Sequence, residues 1–166
     1  MISKRCARHS AAWKYADSMA STQRILLLNG PNLNLLGQRE PEVYGTATLD
    51  DHVQAATQAA QELGFSVESK QSNSSSELVQ AIHVARGTAS AIIINPGAFT
   101  HYAWSIRDAL ASFDGVVIEV HLSNPSTREP WRHESVVAPV SDGSIAGFGG
   151  LGYVLAVQAV ARLLAR

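Results

Sequence analysis

The sequence predicts a one-domain α/β protein in which helices cover both faces of a parallel sheet. Three observations lead there. Short apolar runs recur, three of them (Arg24–Leu28 and Ala91–Ile94 included) apolar on successive rather than alternate residues, the pattern of strands buried on both faces. Helix-spaced apolar stripes alternate with these runs. Glycines and Asn-Pro or Asp-Gly pairs punctuate the junctions.

Residues 1–23 precede the first strand and carry Lys4, Arg5, Arg8 and Lys14 without helical or strand periodicity. They read as an N-terminal extension, expected to be disordered and without the apolar segment of a secretory signal. Met19 offers an alternative start, and a transit peptide is the other reading. Residues 24–166 form the single expected domain. Arg24–Leu28 is the first strand, followed by a long polar stretch to Gly45 that exceeds the ~2–6 residues of an ordinary strand-to-helix turn. Thr48, with Asp51 three residues later, is the capping-box signal for a helix whose apolar face is Leu49, Val53, Ala56, Ala60 and Leu63 and which stops at Gly64. Phe65–Lys70 is a strand. Ser74 and Glu77 repeat the capping spacing before a helix with Leu78, Ile82 and Ala85 inward. Ala91–Ile94 is a strand closed by Asn95-Pro96-Gly97, then a helix is expected over Thr100–Phe113. Val116–Val120 is the fourth strand, a polar segment with a short helix covers Leu122–Glu134, Ser144–Phe148 is the fifth strand, and Leu151–Leu164 the last helix. Right-handed crossovers and this chain length favour the flavodoxin-like three-layer sandwich, with a five-stranded parallel sheet in order 2-1-3-4-5.

Composition narrows the function classes. A net charge of −1 makes no electrostatic case for nucleic acid or an anionic membrane. No apolar run approaches the ~20 residues of a membrane span, and a cytoplasmic location is expected. The one cysteine, Cys6, rules out an internal disulfide and a cysteine-based zinc cluster. Lys4, Lys14 and Lys70 are the only lysines and none lies in the stretches 29–44, 95–101 or 121–132, where the notable polar residues gather, so imine catalysis has no obvious nucleophile. Neither GxxxxGK[ST] nor GxGxxG occurs.

In an open sheet of this order, ligands bind beyond the C-terminal strand ends, at the switch between strands 1 and 3. The loops Asn29–Tyr44, Asn95–His101 and His121–Arg132 leave there and hold most of the notable polar residues. Glu119 and His121, two apart on a strand, share a face. A carboxylate beside an imidazole prepares a general acid or base. A structural pair at a sheet edge, or a metal site completed by His101 or His133, is the alternative. Tyr44 and Arg39 form a second pair, since a guanidinium favours the phenolate of a tyrosine that otherwise titrates near ~10; the alternative is a packed loop tyrosine. Asn95-Pro96-Gly97, Ser123 and Asn124 offer donors, and Arg128 and Arg132 positive charge, suited to a small polyhydroxylated carboxylate.

The run Leu28-Asn-Gly-Pro-Asn-Leu33, with Leu36-Gly-Gln-Arg-Glu-Pro-Glu-Val-Tyr-Gly45, resembles the signature of the type II 3-dehydroquinate dehydratases. Gln71-Ser-Asn73, Ile94–His101, Arg107-Asp-Ala109, Glu119–Asn124, Arg128 and Arg132-His133 extend the resemblance over about residues 24–164. It implies dehydration of 3-dehydroquinate to 3-dehydroshikimate, in the shikimate or quinate pathway, with no cofactor and no metal. It makes Tyr44 the base, with Arg39 lowering its pKa. It makes Asn32 the holder of a water that stabilises an enolate, and His121, oriented by Glu119, the general acid. Asn95, Leu122 and Ser123 would hold the carboxylate, and His101 and Arg132 the ring hydroxyls. Asp108 would reach a neighbouring subunit's site in a homododecamer, a tetramer of trimers. Ser74-Ser75-Ser76, Ala103-Trp104-Ser105 and Pro130-Trp131 depart from the family pattern without removing a catalytic residue. A non-catalytic receiver-like module of the same fold would need an acidic cluster after strand 1 and a late lysine; a metal-dependent hydrolase would rest on the Glu119–His121 face.

Overall fold

The computed structural model describes residues 23–38 and 46–166. Five parallel strands, β1 (Gln23–Asn29), β2 (Phe65–Gln71), β3 (Ala91–Asn95), β4 (Val116–His121) and β5 (Gly143–Ala146), lie in the order β2-β1-β3-β4-β5, the flavodoxin-like order expected. Four α-helices cover them among the described residues: α1 (Leu49–Glu62), α2 (Ser75–Ala85), α3 (Trp104–Ala111) and α4 (Leu151–Leu164).

The strand pleat divides the core. Ile25, Leu27, Ile93, Ile118 and Val120 pack toward α1 and α4, against Ala56, Ala60, Tyr153, Ala156 and Val160. Leu26, Leu28, Ile92, Ile94 and Val117 pack on the other face toward α2 and α3, against Leu78, Ile82, Ile106 and Leu110. β1 and β3 are apolar at successive positions because both of their faces are covered. Each such side chain contributes about 1.5–3 kcal/mol by leaving water.

Most elements begin and end within two residues of expectation, and five local differences have physical causes. α1 opens on the expected capping box, with Thr48 Oγ1 accepting from the Asp51 N–H and Asp51 accepting from the Thr48 N–H. Leu63 falls outside its apolar face, as the exposed residue that ends the helix. The box foreseen at Ser74 does not form. Ser72 takes over instead: its hydroxyl donates to Glu77 at 2.6 Å and accepts from the Ser74 N–H at 2.9 Å. The helix expected over Thr100–Phe113 is two pieces, a 3₁₀ helix at Gly97–His101 and α3 from Trp104. The extended φ of −153° at Tyr102 breaks the spiral between them. The polar segment after β4 winds into 3₁₀ turns at Pro125–Thr127 and Pro130–Arg132, each starting on a proline. β5 is displaced from 144–148 to Gly143–Ala146, because Gly147 takes a left-handed φ of 88° and turns the chain toward α4.

The register sets the site. Asn29 pairs with Gln71 on one side and Asn95 on the other, at the C-terminal edge where β1 and β3 diverge. The next residue, Gly30, donates its N–H to the Asn95 carbonyl at 2.8 Å. A Cβ on Gly30 would stand 2.2 Å from the Pro96 carbonyl oxygen, so only glycine permits the two loops this close.

Candidate active site

A pocket opens at that edge, lined by Asn32, Leu33, Leu36, Asn95, His101, His121, Leu122, Ser123, Arg128 and Arg132, among others. Seven residues given a role by the family resemblance meet there, Asn32, Asn95, His101, His121, Leu122, Ser123 and Arg132, and Arg128, singled out for its charge, joins them. Glu119 stands behind His121. Asp108 does not reach this pocket; it lies on α3, largely exposed and paired with Arg107 at 2.8 Å. Tyr44 and Arg39 lie outside the described residues.

Glu119 is 1% exposed and the hub of the polar cluster. His121 Nε2 lies 2.8 Å from its Oε1, Thr100 donates to the same oxygen, Ser135 Oγ is 3.0 and 3.2 Å from its two oxygens, and Ser144 approaches at 3.4 Å. Burial pushes the Glu119 carboxyl up, but the hydrogen bonds from His121 and Thr100, the charge of His121 and the Ser135 hydroxyl outweigh it and hold the carboxyl below its ordinary range. An ionised carboxylate only accepts, so the proton between the two residues sits on His121 Nε2. Nδ1 is then the ring nitrogen not engaged by Glu119, on a residue that lines the pocket.

On the opposite loop, Asn32 is the only non-glycine residue with positive φ (65°) among those described. Asparagine tolerates this conformation better than most residues, and a sparsely populated backbone state is often retained at a working site. Its N–H donates to Asn73 Oδ1 at 2.9 Å, and the same oxygen accepts from Gln71.

The basic side is also ordered. Arg132 pairs with Glu129 at 2.7 Å and lies over the Trp131 ring, 4.0 Å from its centroid. Trp131 also meets His101 edge to face at 5.4 Å, and His101 Nδ1 bonds the Glu134 carbonyl at 2.7 Å, which is also a fixed tautomer with Nδ1 as donor. His133 Nε2 is turned to the Arg128 carbonyl. Among the described residues no three His, Cys, Asp or Glu side chains converge as metal ligands, so the metal reading of the Glu119–His121 face lacks a donor set. No helix among them is long and apolar enough to cross a membrane.

Sequence reasoning missed Thr100, Ser135 and Ser144 around Glu119, and the buried contacts of the Tyr153 hydroxyl with Asn95 and Asn29. A serine or tyrosine within an apolar stretch carries no local signal of a partner so distant along the chain.

Comparison with known proteins adds to this geometry. The family model described as Dehydroquinase class II matches residues 23–161. A 3-dehydroquinate dehydratase from Pelotomaculum thermopropionicum is 51% identical over 140 residues, 84% of this chain and 97% of the relative. One from Tolumonas auensis is 53% identical over 148 residues, 89% of this chain and 97% of the relative. The crystal structure of type II dehydroquinase from Propionibacterium acnes superposes with a TM-score of 0.81 at 44% identity, covering 84% of this chain and 97% of that one.

Proposed function

The chain belongs to the class II dehydroquinase family, and on that premise we propose that it dehydrates 3-dehydroquinate to 3-dehydroshikimate by anti elimination through an enolate. Tyr44, as phenolate beside the Arg39 guanidinium, takes a proton from the carbon alpha to the ketone. The electron pair moves onto the carbonyl oxygen, where a water held by Asn32 donates to the developing charge. The enolate then re-forms the carbonyl as the hydroxyl leaves, and His121 protonates that hydroxyl so that it departs as water.

The observation that carries this reading is the 2.8 Å contact between His121 and a buried, ionised Glu119 at the mouth of the pocket. The carboxylate stabilises the imidazolium needed for Nδ1 to deliver a proton, and fixes the ring that delivers it. Asn95, Ser123 and the Leu122–Ser123 backbone hold the substrate carboxylate, while His101 and Arg132 bind ring hydroxyls. Asp108, exposed on α3, serves a neighbouring subunit's site in a homododecamer, and the enzyme works in the cytoplasm with no cofactor or metal.

The test is a direct assay of the purified chain with 3-dehydroquinate, following the enone absorbance of the product, with and without chelator and with borohydride. Turnover indifferent to both reagents is expected. No turnover, or loss with either reagent, overturns the reading.

A further inference from the structure

We propose that Tyr153 is a positioning residue for this reaction: its hydroxyl sets the side-chain amide of Asn95 so that an N–H, and not a carbonyl, is presented to the substrate's carboxylate. The inference rests on the reading of Asn95 as part of the carboxylate anchor.

The orientation follows from which groups can only donate. The Gly97 backbone N–H donates to Asn95 Oδ1 at 3.2 Å, so that end of the amide is an oxygen. Asn95 Nδ2 then faces Tyr153 and donates to its hydroxyl at 3.0 Å. Having accepted this bond, the hydroxyl sends its own proton to Asn29 Oδ1 at 2.6 Å. The chain of bonds thus runs one way, from Gly97 and Asn95 through Tyr153 to Asn29. One N–H of Asn95 is used within the protein, and the second remains for the pocket that Asn95 lines.

Reversing the amide would set Nδ2 against the Gly97 N–H, donor to donor. It would also turn the Tyr153 proton toward Asn95 and leave Asn29 Oδ1 without it. A carboxylate would then meet the Asn95 carbonyl, a repulsive contact.

The tyrosine is well held for this purpose. Its side chain is fully buried against the sheet, and its ring stacks on His52 at 6.0 Å with 19° between planes. A Cβ on Gly150 would strike the His52 ring at 2.2 Å, so the start of α4 is pressed onto this pair. Burial, only partly offset by Asn95, drives the phenol pKa far up, and the hydroxyl keeps its proton across the working range. It acts through Asn95 and takes no part in proton transfer.

The experiment compares KM and kcat for 3-dehydroquinate in the full chain and in Tyr153→Phe, Asn95→Ala and the double variant. Asn95→Ala should raise KM about tenfold with kcat within about threefold, since one anchoring bond to an ion is lost. Tyr153→Phe keeps the stacked ring and should raise KM about three- to tenfold. In the Asn95→Ala background it should add nothing, because the amide it positions is gone. An unchanged KM in Tyr153→Phe, or effects that multiply in the double variant, would overturn the inference while leaving Asn95 as an anchor. An unchanged KM in Asn95→Ala would overturn both. Should Tyr153→Phe not fold, Asn29→Ala answers the same question: it frees the phenol proton to turn toward Asn95 and should raise KM about threefold, again only when Asn95 is present. No rise would overturn the inference.

Discussion

Ser135 straddles the Glu119 carboxylate, its Oγ 3.0 Å from one oxygen and 3.2 Å from the other, while the same Oγ accepts the N–H groups of Val137 and Ala138. One small hydroxyl thereby ties the loop before β5 to the residue that orients His121. Ser135→Ala should strand two backbone donors and remove a donor from the carboxylate. A stability loss of about 1–3 kcal/mol is expected in chemical unfolding, with a several-fold fall in kcat. An unaffected midpoint would show that water replaces the hydroxyl.

The same carboxylate sets a pH dependence. Its folded pKa lies below its ordinary value of 4.5, because the donors around it outweigh burial. Ionised Glu119 therefore adds stability that is fully present above about pH 4.5 and is lost as pH falls through the lower folded value. Glu119→Gln lacks this contribution at every pH. The difference in Tm between the wild type and Glu119→Gln should be widest near neutrality and shrink toward pH 3; a constant difference would argue against an ionised Glu119.

On the proposed mechanism, proton exchange separates the two transfer groups, Tyr44 and His121. Tyr44→Phe should lower turnover by at least the ~10²–10⁴ of a lost acid–base group, while a ring carboxylate binds almost as before. Exchange of the substrate's alpha proton with solvent should survive better in His121→Ala than in Tyr44→Phe, since only the tyrosine acts before the enolate. Near-normal turnover in Tyr44→Phe would remove it as the base. Arg39→Lys keeps the charge without the planar fork, and should move the basic limb of the rate profile upward.

Trp131 touches both His101 and Arg132. Trp131→Ala should loosen both groups and raise KM several-fold, with kcat changed little, the pattern of lost ground-state binding. A fall in kcat at constant KM would instead place the ring in the chemical step.

Residues 1–23 carry no helical or strand periodicity of apolar residues that could build a core face. Deleting Met1–Ser21 should therefore leave Tm and turnover nearly unchanged. Loss of either, or of the proposed oligomer in light scattering, would give the extension a structural part.

What could be read from sequence depended on how local its cause is. β1, β3 and α4 follow from runs and stripes of apolar residues, and the Glu119–His121 contact from the two-residue period of a strand. The break at Tyr102 was hidden because Trp104–Ala111 continues the same apolar period. Ser72 displaced Ser74 as the partner of Glu77, a choice between neighbouring serines that spacing alone cannot make. Thr100, Ser135 and Tyr153 meet their partners only when separate elements are brought together. Tyr44 and Arg39, paired on their chemistry and given their catalytic roles by the family signature, lie outside the described residues.

Asn95 and Glu119 occupy adjacent strands but opposite faces of the sheet, the first with Tyr153 beneath α4 and the second with Thr100 and Ser135. The sheet backbone lies between them, and among the described residues no side chain hydrogen-bonds to both Asn95 and Glu119. For an engineer this makes the enzyme modular. Libraries varying the Asn29–Tyr153 side and the Thr100–Ser135 side can be screened separately and their winners combined, with free energies expected to sum. On the proposed mechanism, binding of the substrate's carboxylate and delivery of the proton are then two independent dials on one scaffold.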